Sequence, residues 1–391
     1  WKQRSPMRRS LQRVAIVVLL LVAVSMLTFV AMNVLGDPLF NILGPIAGDT
    51  ENPESIAKIE AAEAQYYLDK PLPERYVRWL GDFVQGDMGV RFGSDGQPPV
   101  TGLIKERLPR SLVLMGMAQV MALAIAIPWG ISSAAGSLGG VDAGPRSLRF
   151  LVPFSLKAVA VIYFALSLFG STIGVVVLIW FVALLVAHQL AETVPAARAL
   201  VDVVKKVMSG FSSALSFGFI SMPNFALAVL LYYVFALKQG WFPLRYDASD
   251  GFFTRMWQLF LPALTLALPG AAVYQRLLRT DLITTLQEDF ILMARAKGVS
   301  KRRVLFRHAL RPSMFSVITV FGINAGALVG GALVVETFFG IPGIGTAVVE
   351  AILREDFPVV LAIVMIVATG FVVLNFLVDL LYSVLDPRVR S

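Results

Sequence analysis

The sequence predicts an all-α protein, a polytopic bundle of transmembrane helices. Of its 391 residues, 57% are hydrophobic and 15% are charged, and the mean hydropathy is +0.74. A soluble domain carries about 25% charged residues, so this chain lacks the polar side chains to cover itself in water. Several apolar runs reach the roughly 20 residues with which a helix crosses a bilayer core. The alternation over about ten residues that is typical of an outer-membrane strand is absent.

Eight apolar segments are predicted to cross the membrane, two of which form an extra helical hairpin. The segments lie at about residues 14–32, 112–135, 150–169, 172–190, 212–237, 259–276, 313–335 and 358–385. The basic start of the chain, WKQRSPMRRSLQR, also suits a cleavable signal peptide. The apolar core of such a peptide is about 7–15 residues long and leads to a small-residue cleavage site. The first apolar run is longer and has no clean site, so we interpret it as an uncleaved span.

Positive charge collects in alternate connections between these segments. Nine Lys and Arg residues lie within 276–311, whereas 33–110 contains more Asp and Glu than Lys and Arg, and 336–357 contains a single cation, Arg354. Cytoplasmic loops of membrane proteins carry an excess of Lys and Arg. The pattern predicts that both chain ends lie in the cytoplasm. It also explains the net charge of +8 without a nucleic-acid partner.

No signature of catalysis or of a bound cofactor occurs in the sequence. There is no cysteine, and the two histidines, His188 and His308, are far apart, which argues against disulfides and metal sites. The dipeptide GK never occurs, so the chain lacks a P-loop, and neither G-x-S-x-G nor H-E-x-x-H occurs. We expect a non-catalytic chain that binds no cofactor or metal itself. Any ATP that drives it must bind another subunit.

Three regions follow from this pattern. We predict a cytoplasmic N-terminus with the first span at 1–34, an extracytoplasmic cap at 35–110, and a membrane core at 111–391. In the cap, AAEAQYYLDKPLPERYVRWLGDFVQGDMG alternates helix-forming stretches with Pro and Gly, and its aromatic rings suit helices near lipid headgroups. A packed cap without a ligand and a docking surface for a partner protein explain this region equally well.

Polar residues and glycines near and within the spans are candidates for a translocation path. Asn324 lies in the seventh span, and Met222 and Asn224 flank Pro223 in SMPN. Polar groups are costly in lipid and usually face a cavity or the bundle interior. Their alternative role is hydrogen bonding between helices. Glycines at every fourth position of the seventh span form a smooth stripe, which serves either close helix packing or a moving gate. This stripe consists of Gly322, Gly326 and Gly330.

A cytoplasmic segment between the sixth and seventh spans is predicted to fold into two short helices. Residues 287–297 suit one helix and 301–311 a second, with Gly298 ending the first in a left-handed conformation and Pro312 leading into the membrane. We call this segment, residues 287–312, the knuckle. Its cations suit a topology anchor attracted to anionic lipid, but such an anchor needs no glycine-centred turn.

The knuckle resembles the coupling loop of binding-protein-dependent ABC importer permeases. The general pattern of that family is an E-A-A triplet, three residues, a glycine and an I-x-L-P ending. Here the positions hold Leu292, Met293 and Ala294, then Gly298, and an ending with Leu310 and a delayed proline. The peptide-importing branch carries TARAKG, a basic helix and HALR, and this chain has MARAKGVSKRRVLFRHALRP.

Other segments resemble the dipeptide/oligopeptide permease B subunit in the expected order. They are GDP after the first span, LDKPLPERY, GDMG, SMP, ETFFGIPGIG, DFPVV and, at the end, NFLVDLLYSVLDPRVR. Members of the family typically have six spans with a short cytoplasmic loop between the second and third. The block at about 145–208 is therefore an insertion, which we interpret as the extra transmembrane hairpin.

The resemblance implies a type I ABC importer in a bacterial plasma (inner) membrane. Such a transporter combines an extracytoplasmic binding protein, two permease subunits and two cytoplasmic ATPases that bind ATP and Mg. This chain would be one permease of a heterodimer, in contact with membrane lipid. The ATPases would grip the coupling loop, here about residues 277–312, and the last outside loop with Glu336 would face the binding protein and the gate.

Roles for the residues of the knuckle follow from the same resemblance. Gly298 would permit the turn and Ala294 a close approach to the ATPase groove. Three apolar side chains would fill that groove, namely those of Leu292, Val304 and Leu305. Four cations would meet its acidic rim, namely Arg295, Lys297, Arg302 and Arg303.

The sequence does not decide between several candidates for the transported solute. Peptides are expected, and the same branch includes permeases for nickel, glutathione and other small solutes. An ion-coupled secondary transporter and a membrane scaffold are alternatives from other classes of protein. The spans supply no chain of ionisable groups and no inverted repeat of broken helices, which counts against ion-coupled transport.

Overall fold

The computed structural model describes residues 6–35, 38–49, 51–92, 97–137 and 214–385, and these ranges fold into helices without a β-strand. Helices α1 to α4 are Pro6–Leu35, Pro38–Leu43, Pro53–Gln65 and Leu72–Val84, with a 3-10 helix at Gly44–Gly48. They are followed by α5, Val100–Ser137; α6, Ala214–Ser221; and α7, Asn224–Leu231, which continues as a π-helix at Tyr232–Lys238. Next come α8, Phe252–Thr285, and α9, Asp289–Ala296. A helical turn at Lys301–Arg303 and a π-helix at Val304–Ala309 lead into α10, Leu310–Phe339, and the last helices are α11, Ile344–Leu353, and α12, Phe357–Leu385.

The all-α class and the multispanning character are confirmed. Within the described ranges, three helices are long and apolar enough to cross a membrane, or up to five if each of two bent pairs is one span. The predicted spans at 14–32, 112–135, 259–276, 313–335 and 358–385 fall inside α1, α5, α8, α10 and α12. The insertion at about 145–208, with both segments of the predicted hairpin, lies outside the described residues. The count of eight spans therefore stays a prediction.

The predicted span at 212–237 is wrong as a single helix. It consists of α6 and α7, whose axes meet at a bend of 110°. The cause is Pro223, which has φ −59° and ψ 143°. A proline cannot donate a backbone hydrogen bond, and it disfavours the helical conformation at the preceding residue, here Met222.

The second helix of the knuckle also differs from the prediction, because it does not end before Pro312. The chain passes from the π-helix at Val304–Ala309 directly into α10. Pro312 lacks the N–H that would bond the carbonyl of His308 in an α-helix. Local π-helical geometry is one way in which a helix adjusts its backbone hydrogen bonds next to a proline. The second helix of the knuckle and the membrane helix α10 are therefore continuous.

The described residues divide into two compact units. The first contains residues up to Val113 together with those from Ala332 onward, and the second contains Leu114–Gly331. In the first unit, Val100 of α5, Ile344 of α11 and Val360 of α12 share one buried core. In the second, Tyr274, Leu278 and Leu282 of α8 are at most 1% exposed and form the core with α5, the knuckle and α10. The division into regions 1–34, 35–110 and 111–391, which the sequence predicted, stays a prediction.

The cap region packs against the first span within the first unit. The ring of Phe29 on α1 lies 5.6 Å from that of Tyr76 and 5.8 Å from that of Trp79, both on α4. Arg75 donates a hydrogen bond from Nη2 to Oδ1 of Asn33 over 2.6 Å. Because aromatic pairs at these distances add to the energy of area burial, α4 is held on α1 by both apolar and polar contacts.

Candidate functional site

The turn of the knuckle is closed by backbone hydrogen bonds around Gly298. The N–H of Gly298 donates to the carbonyl of Arg295 over 2.9 Å, and the N–H of Val299 donates to the carbonyl of Ala294 over 3.2 Å. This pair of bonds is the Schellman arrangement, which needs a left-handed residue after the helix. Gly298 has φ +75°, so the predicted left-handed turn is confirmed. A Cβ at this position would meet no atom within 4 Å, and the requirement for glycine is therefore one of backbone conformation.

One face of the knuckle is buried in the core of its own chain. Ile291 and Ala294 of α9 lie in the same buried cluster as Val304 of the second helix, and Leu305 packs against it. Ala294 is 9% exposed and Val304 is 2% exposed. These side chains contact Leu282 and its neighbours on α8, so Val304 is not available to fill a groove on another subunit. Val304 therefore supports the knuckle from behind, whereas the roles predicted for Ala294 and Leu305 toward an ATPase groove stay predictions.

The opposite face of α9 presents three large apolar side chains to the outside. Phe290 is 46% exposed, Leu292 is 52% exposed and Met293 is 59% exposed. Sequence reasoning assigned an outward contact to Leu292 and missed Phe290 and Met293. The helical spacing could have found them, because 291 and 294 share the buried face and 290 and 293 share another. Adjoining exposed apolar residues of this size commonly mark an interaction surface.

Four cations of the knuckle are exposed and have no ion-pair partner within the described residues. Arg295, Lys297, Arg302 and Arg303 are all exposed. Among the described residues, none of the four has a carboxylate oxygen within 4 Å. Their charges are therefore free to meet an anionic surface that the chain itself does not provide.

A second candidate site, in the first unit, is built around the carboxylate of Glu336, at the end of α10. This side chain is 0% exposed. Ser111 of α5 donates from its hydroxyl to Oε1 over 2.5 Å, and the N–H of Gly345 donates to Oε2 over 2.8 Å. The hydroxyl oxygen of Ser111 also accepts a hydrogen bond from the N–H of Ile344 over 2.8 Å. The two side chains thus cap the first N–H groups of α11, which a helix cannot satisfy internally, and we call this group the Glu336 clamp.

Two glycines of the ETFFGIPGIG segment are required by the clamp. A Cβ on Gly345 would lie 2.5 Å from the backbone Cα of Leu333 and 2.8 Å from Oε2 of Glu336. A Cβ on Gly343 would overlap the carboxylate of Glu336 and lie 2.5 Å from Oγ of Ser111. The clamp therefore explains why glycine stands at both positions. The predicted gate residue Glu336 is a buried structural group in this conformation.

A further contact in the first unit was missed by sequence reasoning. Asp356 precedes α12 and is 3% exposed; it accepts a hydrogen bond from the N–H of Phe92 over 3.0 Å, and its Oδ2 lies 3.9 Å from Nε of Arg91. Burial raises the pKa of Asp356, and the hydrogen bond from Phe92 and the charge of Arg91 oppose that rise. The stretch just after GDMG and the DFPVV segment are thereby joined across 264 residues, a pairing for which the sequence carries no local signal.

The predicted path residues of the second unit occupy two separate places. Met222 and Asn224 are half-buried on either side of the bend between α6 and α7, whereas Asn324 and Gly326 lie within α10. Lining of a path and hydrogen bonding between helices both stay predictions for these residues.

Two sets of hydrogen-bonded polar side chains connect the helices of the second unit. The hydroxyl of Tyr274 donates to Oε1 of Gln119 on α5 over 3.0 Å. The hydroxyl of Ser216 on α6 donates to Oε1 of Gln275 over 2.9 Å, and Nε2 of Gln275 donates to the hydroxyl of Ser133 over 3.2 Å. Both amide atoms of Gln275 are thus hydrogen-bonded, whereas Nε2 of Gln119 has no partner within the described residues. Across the part of the chain that the structure describes, no group of three His, Asp or Glu side chains is placed to hold a metal ion.

Comparison with known proteins agrees with the resemblance of the knuckle to the coupling loop of ABC importer permeases. The family model of the binding-protein-dependent transport system inner membrane component matches residues 194–391. The chain is 30% identical over 359 residues to the oligopeptide transport system permease protein AppB of Bacillus subtilis. The aligned residues cover 91% of this chain and 90% of that protein. It is 29% identical over 377 residues to the glutathione transport system permease protein GsiC of Pectobacterium atrosepticum, with 96% of each chain covered. The chain therefore belongs to the family of binding-protein-dependent transport system inner membrane components, the membrane-spanning permeases of ABC transporters.

Proposed function

We propose that this chain is a permease subunit of an ABC importer for peptides and that it receives the mechanical work of ATP hydrolysis through its knuckle. The observation that carries this proposal is the exposed apolar face of α9, held by the left-handed turn at Gly298 and by a buried opposite face. A short helix fixed in this way can transmit a rigid displacement, whereas a flexible loop would absorb it. The continuous passage from the knuckle into α10 supplies a path for that displacement into the membrane.

The burial pattern divides the knuckle into a contact surface and a support. Phe290, Leu292 and Met293 would enter a groove on an ATPase subunit, and Arg295 and Lys297 beside them would meet acidic residues at its rim. The support behind this surface includes the buried Ala294 and Val304 and the partly buried Leu305. In this scheme the chain catalyses no reaction, and ATP with its Mg ion binds to the ATPase subunits and not to this chain.

The assembly would contain a second, different permease, two ATPases and an extracytoplasmic binding protein. The distribution of Lys and Arg supports a bacterial plasma (inner) membrane protein with both ends in the cytoplasm. In this orientation the knuckle faces the ATPases, and the Glu336 clamp lies at the side that receives the binding protein. Four residues would line the path between these sides: Met222, Asn224, Asn324 and Gly326.

Peptides are the proposed substrate because the relative from Bacillus subtilis is named as an oligopeptide transport system permease. The relative from Pectobacterium atrosepticum is named for glutathione, itself a small peptide-like solute, which makes glutathione the second candidate. Family membership gives no support to ion-coupled transport or to a scaffold.

Uptake into proteoliposomes tests the proposed function. The chain would be reconstituted with its second permease, its ATPases and its binding protein, and accumulation of a labelled oligopeptide would be measured with and without ATP. We expect accumulation that requires both ATP and the binding protein, with weak competition from glutathione. ATP-driven uptake of glutathione but not of peptides would favour the second candidate, and ATP-independent uptake would contradict the proposal.

A further inference from the structure

An arginine-lined depression on the second helix of the knuckle is separate from the apolar face of α9. It encloses about 400 Å³ and is lined by Ser300, Arg302, Arg303, Phe306 and Arg307. Residues four apart lie above one another on a helix, so Arg302 with Phe306 and Arg303 with Arg307 form two adjacent columns. Three guanidinium groups, a hydroxyl and one aromatic ring thus share a single concave surface.

The charges in this depression lack compensation. Arg302, Arg303 and Arg307 are exposed, and within the described residues none of them has an ion-pair partner. Like charges four residues apart on a helix repel each other. Bound oxyanions relieve such repulsion, and the planar fork of arginine matches the oxygens of a phosphate group better than an ammonium does.

The position of the depression along the helix sets the depth at which it meets the membrane. The helix continues without a break into α10, and the predicted span in α10 begins at residue 313. At 1.5 Å per residue, Arg307 lies about 9 Å from the start of that span. The polar headgroup layer is roughly 5–7 Å thick on each side of the hydrocarbon core, so arginine side chains from this turn reach the layer of lipid phosphates.

We propose that this depression binds the phosphate of an anionic phospholipid. Arg303 and Arg307 hold the phosphate oxygens, with Arg302 and the hydroxyl of Ser300 beside them. The ring of Phe306, which is 38% exposed, lies beside the arginines and borders the headgroup on its outer side. The lipid thereby fixes the knuckle at the membrane surface while α9 remains open to its protein partner.

A protein carboxylate is the competing occupant, because Arg302 and Arg303 were also predicted to meet an ATPase rim. Two observations favour the lipid. The exposed apolar face suited to a protein groove lies on α9, not on this helix, and Arg307 lies within side-chain reach of the layer of lipid phosphates. The lipid site does not depend on the identity of the transported solute.

Native mass spectrometry of the purified transporter complex tests this site. The complex would be exchanged into detergent with either phosphatidylglycerol or phosphatidylcholine, and lipid retained on the permease would be measured as a function of lipid concentration. We expect preferential retention of phosphatidylglycerol. For Arg303→Gln/Arg307→Gln, the apparent affinity for that lipid should fall about twenty-five-fold, the product of roughly five-fold for each arginine near an anionic surface.

Two matched variants separate this site from general electrostatic attraction and from misfolding. Arg295→Gln/Lys297→Gln removes the same charge from the neighbouring helix and should change retention of phosphatidylglycerol by less than about three-fold. Arg303→Lys/Arg307→Lys keeps the charge and should retain most of the preference for the anionic lipid. Each complex would first be shown to elute as a single species of the expected mass.

Three outcomes would overturn the proposal. Equal losses in both Gln variants would mean that only overall charge matters. Displacement of the lipid by millimolar glycerol phosphate or inorganic phosphate, with no preference between the two phospholipids, would assign the site to a free phosphate. Unchanged lipid retention together with loss of the ATPase subunits from Arg303→Gln/Arg307→Gln would assign it to the ATPase.

Discussion

Replacement of Gly298 by leucine should uncouple ATP hydrolysis from substrate while leaving the protein inserted in the membrane. Gly298 has φ +75°, and a side chain in the left-handed conformation costs about 1–2 kcal/mol. A penalty of that size reduces the population of the native turn roughly five- to thirty-fold relative to an alternative turn. We expect substrate-stimulated ATP hydrolysis by the reconstituted complex with Gly298→Leu to fall about ten-fold or more, toward the basal rate.

Gly298→Asn is the matched control for this prediction. Asparagine adopts the left-handed conformation more readily than other residues with a side chain, and the space around the position is open. Gly298→Asn should therefore keep most of the stimulation. If Gly298→Leu were stimulated as strongly as the unaltered protein, the knuckle would not be the element that couples ATP hydrolysis to the membrane pathway.

Replacement of Gly345 by alanine should cause the largest loss of stability among single-methyl changes in the first unit. The added Cβ would lie 2.5 Å from Cα of Leu333, which belongs to the backbone of α10 and cannot rotate away, and 2.8 Å from Oε2 of Glu336. Overpacking typically costs 1–3 kcal/mol, and loss of a helix cap adds about 1 kcal/mol. We expect Gly345→Ala to lower the midpoint of thermal unfolding in detergent by roughly 5–10 °C.

Gly370→Ala provides the control within the same unit. Gly370 lies inside α12, and a Cβ there would meet no atom within 4 Å. Alanine is a better helix former than glycine by about 1 kcal/mol, so this variant should unfold at the same temperature as the unaltered protein or slightly higher. Equal midpoints for Gly345→Ala and Gly370→Ala would show that α11 does not pack on α10 as described.

The fold class and the turn of the knuckle were predictable from sequence because each depends on local information. Long apolar runs indicate membrane helices irrespective of their neighbours. A basic segment with helix-forming residues on both sides of Gly298 indicates a helix, a left-handed cap and a second helix. The structure confirms the turn at that residue, although the first helix is the shorter Asp289–Ala296.

The roles of individual side chains were less predictable because they depend on tertiary contacts. Val304 is apolar and lies in a basic surface loop by sequence, yet it packs into the chain's own core. Glu336 looks like an exposed acid beside a glycine-rich loop, but its carboxylate caps α11 together with Ser111, which is 225 residues away in sequence. The bend at Pro223 has a local cause, but a span inferred from apolar length alone does not reveal it.

Site-directed photocrosslinking tests the central claim most directly, namely that the outward face of α9 contacts the ATPase. The sequence contains no cysteine, so a benzophenone maleimide attached to Leu292→Cys or Met293→Cys would label one chosen position. Val77→Cys, on α4 of the cap, is a labelling control, because Val77 is 66% exposed. We expect illumination of the complete transporter to join the ATPase to this chain from positions 292 and 293 and not from position 77. Absence of the ATPase from the products at 292 and 293, or equal yield at all three positions, would contradict the account.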